Sequence, residues 1–174
     1  MAVGNLEFIK SASGTSVSSL SVTDCFSADY DVYMVQMNDY DTSATAESRF
    51  RFLDSGGSEV TTSAYDNANL TLRAGASFLE EKNTGLDYIK NFTYATTTDV
   101  GVGNTIMVFN PFDSSSYSFI QYQTAHFQVS NNYMEGRKSI GVLKQAATHS
   151  GFKIYPNTGT LDNITISVYG LASN

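Results

Sequence analysis

The chain has 174 residues, enough for one domain that buries roughly 70% of its unfolded surface without staples. It is 41% hydrophobic and 13% aromatic, with 11 Tyr, 11 Phe and no Trp, which excludes a disordered tail. Ten basic against 17 acidic residues leave a formal charge of −7, a field that repels nucleic acid and disfavours an anionic membrane surface.

The opening, MAVGNLEFIKSASG, has no basic region followed by an apolar stretch, so no secretory signal is expected, and residues 1–16 read as an N-terminal arm or edge segment. No run approaches the ~18 apolar residues of a membrane helix. A soluble domain is the expectation.

Segments rich in Tyr, Phe, Val, Ile and Thr then recur between clusters of Gly, Ser, Asn and Asp, the pattern of strands joined by turns. The first five fall at 17–26, 30–38, 47–54, 58–65 and 86–95. Five more fall at 105–110, 117–130, 139–147, 151–156 and 163–171. Alternation is clean where Phe50 and Phe52 oppose Arg49 and Arg51, and where Ile164, Ile166 and Val168 oppose Asn163, Thr165 and Ser167. Turn chemistry at Asp54-Ser55-Gly56-Gly57-Ser58 and at Pro156-Asn157-Thr158-Gly159 suits two hairpin connections, so the strands should be mainly antiparallel. The one helical signal is a capping-box-like Ser77-Phe78-Leu79-Glu80, with Gly85 fit to end one or two turns. The expected fold is all-β: a single antiparallel, jelly-roll-like β-sandwich of about ten strands over residues 1–174, with at most one short helix.

Sites of chemistry are sparse. Cys25, the lone cysteine, reads as a small buried apolar group. His126 in a Tyr- and Phe-rich strand and His149 in a Thr-His-Ser-Gly turn read as structural or simply exposed, and there is no G-x-S-x-G elbow. One Cys and two separated His make no zinc set. Asp29 with Asp31 and Asp39 with Asp41 could offer oxygens to calcium, but neither pair continues into an EF-hand loop, and solvated turn carboxylates are the plainer reading. Gly101-Val102-Gly103 lacks the third glycine of a dinucleotide fingerprint and reads as a turn. The sequons at Asn69, Asn91 and Asn163 are discounted in a chain so rich in Asn and Thr. No catalytic, cofactor-binding or metal residue is assigned.

The segment Asn131–Lys138 is singled out as a contact loop. Tyr133 and Met134 stand in polar surroundings there, and Arg137 and Lys138 are two of the ten basic residues. Tyr133, Met134, Arg137 and Lys138 are the expected partner-contact residues.

Three segments carry a resemblance. Tyr30-Asp31-Val32-Tyr33 follows a Ser/Thr-rich opening, Arg49-Phe50-Arg51-Phe52 leads into Asp54-Ser55-Gly56-Gly57-Ser58, and Ile164-Thr165-Ile166-Ser167-Val168-Tyr169-Gly170-Leu171 closes the chain. Together they resemble small virion structural proteins of tailed bacteriophages, especially those of marine cyanobacterial and related hosts. The resemblance implies a non-enzymatic β-sandwich in a virion assembled in the host cytoplasm, with other virion proteins as partners. Without an evident anchor or shaft for a tail fibre, capsid decoration is the first expectation. A tail-appendage module gripping a host glycan through exposed tyrosines is the alternative, and an enzyme acting on polysaccharide is a third class. Work on a symmetric shell implies a homo-oligomer, with a trimer expected.

Overall fold

The computed structural model describes residues 5–95 and 100–172. The strands among them are β1 Leu6–Gly14, β2 Leu20–Val22, β3 Val32–Thr42, β4 Ala46–Asp54, β5 Tyr65–Arg73, β6 Leu79–Leu86, β7 Ile89–Ala95, β8 Val100–Phe109, β9 Ser118–Gln128, β10 Tyr133–Leu143, β11 His149–Pro156 and β12 Leu161–Leu171. One 3-10 turn, Val129–Asn131, joins β9 to β10, and the described residues contain no α-helix.

The strands form an eight-stranded sheet, β1-β12-β3-β8-β9-β10-β5-β6, and a four-stranded sheet, β2-β11-β4-β7. Every pairing is antiparallel. The connectivity is nested: β1 pairs with β12, β2 with β11, β3 with β8 and β4 with β7, and successive pairs alternate between the two sheets. That nesting is a jelly roll. Two further pairs, β5–β6 and β9–β10, both extend the larger sheet beyond β8.

The two alternating strands bury the faces expected of them. Phe50 and Phe52 are fully buried, as are Ile164, Ile166 and Val168. Phe50 stacks on Phe152 at 5.3 Å between ring centroids, and Phe26 adds its ring to Phe152 at 5.9 Å and to Tyr33 at 4.7 Å. Buried tyrosines need partners for their hydroxyls. Tyr33 donates to the Ser27 carbonyl and accepts from the Ser27 N–H, while Tyr65 donates to the Val60 carbonyl and accepts from the Phe52 N–H. These bonds tie loop backbone to the core. Gly151 is required for another reason, because a Cβ there would lie 2.1 Å from the Val22 carbonyl oxygen where β2 approaches β11.

Several elements depart from the sequence reading. Residues 77–85 hold no helix: Leu79–Leu86 is strand β6, because pairing with β5 satisfies the backbone that a short capped helix would otherwise close on itself. Its Glu80, Glu81 and Lys82 place charges on a sheet edge, which discourages pairing with another chain. The turn at Asp54–Ser58 does reverse the chain, with Asp54 N–H donating to the Ser58 carbonyl and Gly57 at φ +80°. Its return arm is only a bridge, Leu53 to Glu59, so 58–65 is not a strand. The strand begins instead at Tyr65 and runs through Arg73, and all of it after Tyr65 is a stretch the sequence reading leaves between elements. The turn at 156–159 is no hairpin, since β11 and β12 lie in different sheets. Only Leu20–Val22 of the 17–26 segment is strand, and Gly101–Gly103 lies inside β8. Of the two readings of residues 1–16, arm or edge segment, Leu6–Gly14 takes the second, as an edge strand on β12.

Candidate interaction surface

The contact loop expected at 131–138 is instead the 3-10 turn and the first half of β10, which is hydrogen-bonded to β9 on one side and β5 on the other. Alternation along a strand therefore sends its four singled-out residues in different directions. Met134 is 62% exposed on the outer face, and Lys138 is exposed on that same face. Arg137 points inward, its Nη2 3.8 Å from Glu135 Oε1. Tyr133 is half-buried against Gly75, whose missing Cβ would sit 3.0 Å from the ring. The predicted cluster of four is thus two surface groups and two packed ones.

The outer face of the eight-stranded sheet is largely apolar. Cross-strand register sets Phe8, Tyr169 and Met34 in one row with Met107, Gln121 and Ile140, and carries the row on to Ala68 and Lys82 at the far edge. The adjacent row holds Leu6, Leu171 and Val32, then Phe109, Phe119 and Val142. Phe8 at 60% and Ile140 at 58% are far more exposed than large apolar groups inside a sandwich. Between β8 and β6 the face dips into an open trough of about 610 Å³, floored by Phe109, Phe119, Ile140 and Val142 and rimmed by Asp66 and Lys82.

A polar row, Ser167, Gln36, Thr105, Gln123 and Lys138, crosses the same face next to that band from β12 to β10; on β5 it is interrupted by the exposed Leu70, and it ends at Glu80 on β6. Beyond it lies a second apolar group at the tip where β9 turns into β10. Met134 stands opposite Phe127, and Leu72 lies opposite Gly136. Val129 in the 3-10 turn, and Phe78 and Leu79 entering β6, are exposed at the same end. The sequence reading caught Met134 and missed the rest, because each sits on a different element.

The inner face behind this tip is unusual in being polar. Glu135 is 2% exposed and accepts from Arg73 Nε at 2.7 Å; His126 is its cross-strand neighbour and is also buried. Nearby, the Tyr122 hydroxyl donates to Asn69 Oδ1 at 2.6 Å, and Asn67 donates to the Lys90 carbonyl of β7. These groups close on one another beneath the sheet. Asn69 is therefore a structural hydrogen-bonding group, Asn163 is exposed, and the Asn91 side chain lies outside the described residues.

His149 begins β11 and is wholly buried rather than in a turn. Its Nδ1 lies 3.0 Å from Ser118 Oγ and its ring 4.9 Å from Phe52. Burial holds its pKa below the ordinary 6.5. Ser118 is equally buried, so the pair has no face open to a substrate. Burial pushes the Cys25 thiol up to about 12, which leaves it protonated and inert.

The outer face of the four-stranded sheet is a charge lattice. Arg51 donates to Glu59 at 2.7 Å, to Asp87 and to the Asp87 carbonyl, and lies 5.2 Å above the Tyr155 ring. Arg49 pairs with Glu47 at 2.9 Å and covers Tyr88 at 4.3 Å, while Lys153 bonds Glu59. Cations and carboxylates there satisfy one another.

Asp39 and Asp41 border a shallow polar hollow with Asn163, and Asp41 Oδ1 accepts from the Thr42 N–H at 2.8 Å. Asp29 accepts from Ser27 Oγ. Among the described residues no three of His, Cys, Asp or Glu gather as a metal set, and no helix is long and apolar enough to cross a membrane. No protein-family model matches the chain, and no curated protein matches its sequence.

Proposed function

We propose that this protein is a non-enzymatic structural component of a tailed-phage virion, a decoration protein held on the outer head by protein–protein contact through the apolar tip of β9, β10, β5 and β6. The observation that carries the reading is the tip itself. Met134, Phe127, Leu72, Val129 and Phe78 are all exposed at one end of a well-packed sandwich. Scattered apolar side chains on a surface need no explanation, whereas a group gathered from four elements marks a contact site. The jelly-roll connectivity supports the reading by analogy, since capsid proteins use it often, as do lectins.

The alternative, a tail appendage that grips a host glycan, calls for exposed tyrosine rings with polar partners. Among the tyrosines whose side chains are described, Tyr117 alone is well exposed, and the tip offers Phe, Leu and Met instead.

The test is rebinding to particles stripped of this protein, with a glycan array run beside it. A Met134→Asp, Phe127→Asp variant should melt as wild type does and lose at least tenfold in particle affinity, the scale on which buried apolar anchors act. Saturable sugar binding with no affinity for heads would put the glycan reading first. Equal rebinding by the variant would remove the tip from the contact.

A further inference from the structure

The apolar band that runs from β1 to β6 is separate from the tip, lying across the polar row from it. We propose that a second copy of this chain packs on the band, face to face, about a two-fold axis parallel to the strands between β8 and β9.

Shape on the two halves of the sheet is complementary. The β1–β12 side carries a ridge of large groups, Leu6, Phe8, Tyr169 and Leu171, with the Phe8 and Tyr169 rings edge-to-face at 5.7 Å. The β9–β6 side carries the trough, where the outward residue of β5 is the small Ala68. An isologous contact requires that both halves of the match lie on one molecule. Turning a copy over about the proposed axis sets β1 opposite β6, β12 opposite β5, β3 opposite β10 and β8 opposite β9, by the strand order. Phe109 then meets Phe119, Val32 meets Val142 and Met34 meets Ile140, while Phe8 meets Lys82, a ring against a cation. Sheets packed this way lie about 10 Å apart with strands within about 30° of parallel, as in any sandwich.

Charge points the same way. Two chains of −7 repel one another over most of their surface. The band holds Lys82 and Asp66, whose charges cancel, and Asp66 is already turned to Lys144 at 2.9 Å and to the Gly85 N–H. The band therefore adds no like-charge excess of its own to the seam.

Its extent suits a protein partner. Eight strands at about 4.8 Å spacing and two rows of side chains cover roughly 34 by 14 Å, so two copies bury on the order of 1,000 Å², the size at which a specific interface separates from a chance one. A small apolar ligand would need enclosure over most of its surface, and the trough is open along its length.

Sedimentation velocity on the full chain tests the proposal. Wild type should sediment as two chains. Phe8→Lys and Ile140→Lys, both at well-exposed positions, should each weaken pairing at least tenfold while melting within about 3 °C of wild type at a concentration low enough to keep all three as single chains. Mixing Phe8→Lys with Lys82→Glu should restore a two-chain species, because one of its two cross-copy contacts becomes an ion pair and the other stays native. Three results overturn the proposal: a single chain up to about 100 µM, a three-chain particle, or pairing indifferent to both lysine substitutions. A mixture that fails to pair overturns the axis. The Met134→Asp, Phe127→Asp variant should pair normally, so the tip and the band fail separately.

Discussion

On the outside of the four-stranded sheet, Arg49, Arg51 and Lys153 stand among Glu47, Glu59, Asp87 and two tyrosine rings, and each charge has a partner within the chain. On the outside of the eight-stranded sheet, Phe8, Phe119 and Ile140 face solvent, and no segment among the described residues lies over them. Both faces have the same pleat and the same core behind them. A surface whose polar groups are already satisfied gains little from a partner, whereas desolvating an apolar band is favourable at roughly 25 cal/mol per Å². The contrast is between a face that satisfies itself and a face that, under the two proposals above, is left for association.

The largest expected effect tests the stability side. Arg51→Ala removes hydrogen bonds to Glu59 and Asp87 and the contact with Tyr155; Glu59 keeps Lys153, whereas Asp87 loses its cation. A loss of about 2 kcal/mol by urea unfolding is expected, the scale of hydrogen bonds to charged groups. A loss within ~0.3 kcal/mol would show that the lattice contributes nothing and erase the contrast.

Acid should act on the same side in two stages. His149 has its pKa lowered by burial, so the unfolded chain binds the proton more readily. The stability this contributes is present above pH 6.5 and falls away as pH drops below it. Burial alone would raise the Glu59 carboxyl, but hydrogen bonds from Lys153 and Arg51 outweigh it and hold the pKa below the usual value. Its contribution is present above pH 4.5 and is lost as pH falls through the lowered folded-state value. Melting followed from pH 8 to 3 should therefore show an upper and a lower decline. His149→Gln should flatten the upper one alone, and a curve unchanged by it would refute the assignment.

The smallest effect belongs to the apolar face. Ile140→Ser, compared with wild type at a concentration low enough to keep both as single chains, should shift unfolding by no more than about 0.5 kcal/mol. A cost of 2 kcal/mol or more would mean that Ile140 belongs to the core, and the face would lose its claim to be a docking surface.

The two faces also differ in how well they can be read from sequence. Arg49-Phe50-Arg51-Phe52 declares its pattern, because wet residues outside and apolar residues inside are what alternation leads one to expect. In β5 the same alternation runs inverted: Asn67, Asn69 and Thr71 face inward while Ala68, Leu70 and Leu72 face out. A reader who assigns apolar side chains to the core finds no strand there, and mistakes the start of β10 for a loop for the same reason. Met134 was recoverable as an odd apolar residue in polar company. Phe127 and Leu72 were not, since only register brings them to the same end of the sheet.

Composition and alternation determine the all-β class, the antiparallel habit, and the buried faces of β4 and β12, because a side-chain period of two is a local property of an extended chain. They also exclude an intrachain disulfide, since Cys25 is the lone cysteine, while its inertness follows from burial. Tertiary structure decides the rest. Which sheet each strand joins, as with β11 and β12, depends on pairings between residues up to the whole chain apart. Whether 79–86 closes a helical turn or an edge ladder depends on β5 being there to receive it. Which face is outside depends on what covers it: β7 closes over the polar inner side of β5 and β9, through the Lys90 carbonyl, and leaves their apolar side to the solvent.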